Sequence, residues 1–215
     1  SVLKVQDGSY LEFKAFDLGP SRVTNGRAHN QGGTIYAYSA PPPPPPPPPP
    51  STQQHYYHVG ANWVQSYKGN NTWMSNTNGR CYQGVDPSGY NGNQIGYFGF
   101  SQVDWPSLSA GRIDRIELYL YYPHWYYAGG GTARIGFHSQ WGDPGGAGRN
   151  TGAGPHWTFD SGGWPRGAGR WLDITGWGSQ FQNGMFRGVA LGPGNAGNTN
   201  YGYATGCEVK LWVTR

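Results

Sequence analysis

Charge is scarce in this chain of 215 residues: Asp, Glu, Lys and Arg make up 12% of it, and 15 basic against 11 acidic residues leave a net +4. Lys and Arg nowhere cluster. They stand singly, as at Arg80, Arg112, Arg115, Arg134 and Arg149, which argues against nucleic-acid binding despite a pI near 9.0. Long apolar runs are missing as well: none approaches the ~18 residues of a membrane-spanning helix, so no membrane insertion is expected. The Ser1 end lacks the basic-then-apolar form of a signal peptide. Sustained helical periodicity is absent. Cysteine is reduced to Cys81 and Cys207, a single candidate disulfide pair. A bridge closing so long a loop would contribute ~3–5 kcal/mol in the chain-entropy model, and the sequence leaves open whether the two are bridged or free.

What the chain does have is glycine, proline and aromatic rings. Its 37 glycines and 16% aromatic content describe a turn-rich β protein rather than a disordered one. Ten consecutive prolines occupy 41–50. Each fixes φ near −65° and lacks a donor, so the run is expected to form a polyproline II rod spanning roughly 30 Å. It divides the chain into a segment at 1–40, a linker or stalk at 41–50, and a domain at 51–215. The rod lacks the flanking basic residues of docking ligands, which favours a spacer. All ten Trp lie after it.

In the first segment, VLKVQ (2–6) and YLEFKAF (10–16) flank the turn signal DGS and read as a hairpin, with TIYAY (34–38) as a third strand. Three short strands with few large aliphatics make a poor core. An attachment module that packs on another protein or on its own copies is expected. After the rod, alternation runs through HYYHVGANWVQSY and QIGYFGF. It is clearest in RIDRIELYLYY, where Ile116, Leu118 and Leu120 point one way and Arg115, Glu117, Tyr119 and Tyr121 the other. Further strands are expected in ARIGF, HWTFD, RWLDI, FRGVAL and EVKLWV. About eight short strands separated by Gly, Pro and Asn predict an all-β fold, a β-sandwich of jelly-roll type. GWGSQFQNG is the one helical candidate, with Trp177 and Phe181 four apart on a single turn.

Three stretches resemble the C-terminal domain of minor tail proteins from phages of actinobacteria. They are "GRIDRIELYLYYPHW…GTARIGFH", "RGAGRWLDITGWGSQFQNGMFRGVALGPG" and "YGYATGCEVKLWVTR". The elements that carry the resemblance are Ile113, Ile116, Leu118 and Leu120; Arg134, Ile135 and Phe137; Arg166, Gly167, Gly169, Trp171, Leu172 and Ile174; Gly184, Gly188, Val189, Ala190 and Leu191; and Lys210, Leu211 and Val213. The same pattern resembles carbohydrate-binding jelly rolls of secreted bacterial proteins. "LKVQDGSYLEFKAF" is similar to short units placed ahead of tip domains in phage tail proteins, with Tyr10 where such units usually have Trp. The resemblance implies a virion component exposed at the tail tip, extracellular when acting, in several copies. It carries over no catalytic residue.

The residues themselves argue against an enzyme. Of the acids after the rod, Asp86, Asp104 and Asp143 fall in turns, while Glu117, Asp173 and Glu208 lie on polar strand faces where solvation is the default; paired-carboxylate chemistry is not expected. His55 and His58, three apart in a strand, point to opposite faces and have no third ligand, so no metal is expected. VDPSGYNGN offers Asp86, Asn91 and Asn93 as oxygen ligands, but turn chemistry explains them. No cofactor is implied. The informative surplus is aromatic: Trp125, Tyr126 and Tyr127 in PHWYYAGGG, Trp141 in SQWGDP, Trp157, and Trp164 in GGWPRG, all beside loop punctuation. Flat rings stack on sugars, and these six are the candidate glycan contacts, with packing between subunits as the competing role. The expectation is a phage tail-tip protein, homotrimeric, that grips other tail proteins through 1–40 and host cell-wall glycan through the sandwich. The alternatives are a secreted carbohydrate-binding module of a polysaccharide-degrading enzyme and a purely structural fibre subunit.

Overall fold

Strand alternation builds two large sheets after residue 51 and two short ladders before it, in a computed structural model that describes residues 2–4, 10–12, 23–24, 27–28, 52–192 and 200–215. Contacts divide the chain into residues 1–50 and 51–215. In the first unit, β1 (Val2–Lys4) pairs antiparallel with β2 (Tyr10–Glu12), the pairing expected around DGS. A second ladder, unanticipated, joins β3 (Val23–Thr24) to β4 (Arg27–Ala28). The expected strand at 34–38 and the proline run at 41–50 lie outside the described residues.

The second unit is an all-β sandwich. HYYHVGANWVQSY, which reads as continuous alternation, breaks into β5 (Gln54–Gly60) and β6 (Trp63–Tyr67). Between them the chain changes sheets: Ala61 N–H donates to Cys207 O, and Asn62 N–H to Gly99 O. β7 (Cys81–Val85) and β8 (Asn93–Gly99) follow, then helix α1 (Trp105–Leu108) and β9 (Arg112–Tyr122). β10 (His124–Trp125), β11 (Gly131–His138), β12 (His156–Trp164) and β13 (Ala168–Asp173) precede helix α2 (Gly178–Gln182). β14 (Gly188–Leu191), β15 (Gly202–Ala204) and β16 (Gly206–Thr214) complete the described elements. One sheet has four strands in the order β13-β9-β16-β5; the other runs β10-β15-β7-β8-β14-β11-β12, with β6 also paired to β8.

The inward sets of both sheets make one core. Ile116, Leu118, Leu120 and Tyr122 of β9 share a buried cluster with Val209, Leu211 and Val213 of β16, and with Ile135, Phe137, Val189 and Leu191 of the larger sheet. Each such side chain contributes ~1.5–3 kcal/mol when withdrawn from water. The helical turn expected at GWGSQFQNG is present, and Phe181 packs 5.1 Å from the Trp105 ring and 5.5 Å from Phe137. Cys81 and Cys207 are free thiols inside this core. Burial pushes both thiols up from their ordinary pKa.

Several polar side chains are buried in this frame, Gln83 and His138 among them. Gln83 Nε2 donates to Thr132 O (2.9 Å) and Asn200 O (2.7 Å), while its Oε1 accepts from Tyr122 Oη (2.7 Å) and Arg134 N–H (3.2 Å). The amide thereby ties β7, β9 and β11 together. His138 lies in a second aromatic layer with Trp63 and Tyr97, stacked 4.4 Å from the Tyr97 ring. Its Nε2 lies 2.8 Å from Phe98 O, and its Nδ1 accepts from Gln140 N–H at 3.2 Å, so the neutral tautomer with the proton on Nε2 satisfies both contacts. Burial lowers its pKa from 6.5 to about 4. Bare backbone lets these rings lie flat: a Cβ at Gly99 would sit 1.8 Å from the Trp63 ring, and one at Gly188 2.2 Å from His138 Nε2.

Candidate functional site

The six aromatic candidates separate into three groups. Trp125 and Trp164 are fully buried. Trp125 stacks on Tyr122 at 4.3 Å, Trp164 meets the same ring edge-on at 4.9 Å, and Trp164 Nε1 donates to Ala168 O. Loop punctuation beside them marks where the chain turns, but the rings themselves fold inward to close the core. Both are corrected from surface contacts to core residues.

Tyr126 and Tyr127 remain exposed and pack edge to face. Arg166 sets their loop by donating from Nη2 to the carbonyls of Trp125 and Tyr126. They continue a strip of rings along β7, β15 and β10: Tyr126 neighbours Tyr201, just before β15, Tyr82 lies 5.2 Å from Tyr203, and His124 stacks on Tyr203.

Trp141 and Trp157 are the most exposed tryptophans, each at 55%. Trp157 has φ 43°, a left-handed backbone that a bulky residue adopts only under constraint from its surroundings. The constraint is visible. Pairing of β11 with β12 shifts register between Ile135 and Phe137, and the carbonyls of His156 and Trp157 press on Gly136, where a Cβ would stand 2.9 Å from Trp157 O. Arg149 secures the preceding turn: its Nη1 donates to Gly154 O, and its Nε and Nη2 to Asn71 Oδ1 at 3.0 and 2.6 Å. The indole is thereby held out beside a shallow depression of about 470 Å³ lined by Ser139, His156, Trp157 and Met185. Met185, exposed and two residues before Arg187, was not legible as a site residue. The Arg187 guanidinium lies 4.0 Å over the Trp141 ring.

The remaining sequence candidates resolve as structural groups. Asp86 accepts from the backbone and side chains of Ser88 and Asn91, an arrangement that uses the carboxylate within its own turn and lowers its pKa. His58 meets Glu208 at 2.6 Å on the outer face of its sheet, whereas His55 neighbours Tyr57. Among the described residues, no group of three His, Cys, Asp or Glu is placed to hold a metal ion. No described helix is long and apolar enough to cross a membrane. Neither the family models nor the curated proteins contain a match to this sequence.

Proposed function

We propose that the sandwich is a receptor-binding domain of a phage tail-tip protein, and that the Trp157 depression stacks on a sugar of the host cell wall. The observation that carries the binding site is the backbone of Trp157: a left-handed φ, which costs ~1–3 kcal/mol, holds outward an indole that stays 55% exposed. Such strain is expected where an outward ring serves a ligand. Met185 adds an apolar wall, and Ser139 and His156 supply hydrogen-bonding groups. The phage assignment rests on the sequence resemblance. In that reading the polyproline run is a stalk, residues 1–40 attach to the tail, and several copies, three in the simplest fibre, multiply a weak single-site affinity into avidity.

The test is sedimentation of the full chain with actinobacterial cell walls. Saturable binding that free wall sugars compete away is expected, and Trp157→Ala weakens it about tenfold or more without lowering the unfolding midpoint. Absence of binding, with stable oligomers in solution, would replace this reading with that of a structural fibre subunit.

A further inference from the structure

The outward positions of the four-stranded sheet carry an aromatic side chain on each strand: Tyr56 on β5, Trp212 on β16, Tyr119 on β9 and Trp171 on β13. Cross-strand register places them in rows. Tyr56, Trp212 and Arg115 lie opposite one another across β5, β16 and β9. His58, Lys210, Glu117 and Asp173 form the next row, and Glu208, Tyr119 and Trp171 the one after. Successive rows are two residues apart, so the two aromatic rows stand ~13 Å from each other with a charged row between them.

The rings lie across the sheet. Trp171 covers Lys210, whose Nζ is 3.9 Å from the ring centre, and it approaches both Tyr119 (5.1 Å) and His58 (5.9 Å). Trp212 packs 5.1 Å from Tyr56 and receives the Arg115 guanidinium at 5.5 Å. Trp171 at 36% and Tyr56 at 52% are the exposed rings of this face, while Trp212, between Tyr56 and Arg115, is half-buried. Charges of both signs mix on this face: Arg115 pairs with Glu117, His58 contacts Glu208, and Lys210 and Asp173 stand in the row between the aromatic ones.

We propose that this face is a second ligand surface, distinct from the Trp157 depression, and that it takes an extended uncharged glycan. The chemistry excludes the common alternatives. Charges of mixed sign make no field of one sign to draw a nucleic acid or an anionic polymer. Tyr, Trp and Arg are common at protein interfaces, but the middle row here, Lys210, Glu117 and Asp173, puts charge where the centre of such an interface is depleted of it. What remains is flat ring surface alternating with carboxylate, ammonium and guanidinium groups. That combination matches a polyol, which offers C–H faces to rings and hydroxyls to ions of either sign. Two ring platforms separated by a polar row suit a chain of several sugars rather than a single one.

The experiment titrates the full-length protein with cellohexaose, laminarihexaose and maltohexaose, and with heparin as the anionic comparison, followed by calorimetry and by the indole N–H signals in NMR. Binding of at least one neutral hexasaccharide is expected, with the Trp171 and Trp212 indole signals shifting and that of Trp157 unmoved. Trp171→Ala and Trp212→Ala should each raise Kd about fivefold or more. Affinity should alter less than about twofold between ~50 and ~500 mM NaCl. The wild-type NMR map stands by itself should either variant fail to fold. No binding of any neutral hexasaccharide, shifts confined to Trp157, or preference for heparin would each overturn the proposal. Loss of cell-wall sedimentation in Trp157→Ala alone would leave it intact.

Discussion

Acidification should loosen this protein well above the pH at which its carboxylates protonate, and His138 is the reason. The unfolded chain binds a proton on that imidazole near pH 6.5, whereas the folded protein does so only near 4, because the ring is sealed between Tyr97 and Trp63. Between those values the unfolded state holds more protons, so stability falls as pH falls. A depression from 6.5 to about 4 corresponds to a full loss of ~3 kcal/mol, of which ~2 kcal/mol is already gone at pH 5. His124, also lowered by partial burial and by the nearby Arg166 and Arg80, adds a smaller effect of the same sign. Asp86, Asp114 and Asp173, whose pKa values are lowered, lose their contributions only as pH falls below the ordinary aspartate range. The window from 6.5 to 5 therefore belongs to histidine. Urea unfolding at pH 7, 6 and 5 measures it. His138→Phe keeps a ring on Tyr97 but cannot titrate; it should be less stable at pH 7, because the imidazole's contacts with Phe98 O and Gln140 N–H are lost, and nearly flat across the window. A flat wild-type profile, or an equal slope in the variant, would refute the argument.

Three further outcomes are expected. Gln83→Leu strands the Tyr122 hydroxyl and the carbonyls of Thr132 and Asn200, so its denaturation midpoint should report a loss of ~2–4 kcal/mol; a change under ~1 kcal/mol would show that the amide knot is dispensable. Trp157→Gly relieves a positive φ and should leave stability equal or up to ~1 kcal/mol higher by thermal unfolding while cell-wall sedimentation drops, whereas marked destabilisation would mean that the indole is structural. Cys81 and Cys207, buried with raised pKa, should react with a thiol reagent at pH 8 only as the protein unfolds; titration at the rate of a free thiol would contradict their burial.

Much of the fold is written locally. Alternation at Ile116, Leu118 and Leu120 suffices to orient β9, and Trp177 with Phe181 suffices to place a helical turn, because each signal lies within one element and one period. β7 escaped because Gln83 and Gly84 interrupt a short run whose partners, Thr132 and Asn200, are remote in sequence. HYYHVGANWVQSY looked continuous because alternation records which side chains face inward, and β5 and β6 both turn a face to the protein while belonging to different sheets.

The candidate site divides along the same line. Composition alone showed an excess of aromatic rings over what a small core needs, and loop punctuation located the turns that carry Tyr126 and Trp141, whereas Trp157 lies on a strand, β12, just after one. Burial of a ring, however, depends on what arrives from the opposite strand. Trp125 and Trp157 stand in similar Pro-adjacent contexts, yet Tyr122 and Trp164 enclose the first, while a register shift in β11 and the Arg149 contacts turn the second outward. Trp171 and Trp212 read as ordinary strand residues until register set them beside Lys210 and Arg115. The sequence by itself determined the all-β class, the inward set of β9 and the aromatic surplus, all consequences of local period and composition. Tertiary structure decided which rings meet solvent, the state of the two thiols and the neutral His138, because each depends on groups brought together from distant parts of the chain.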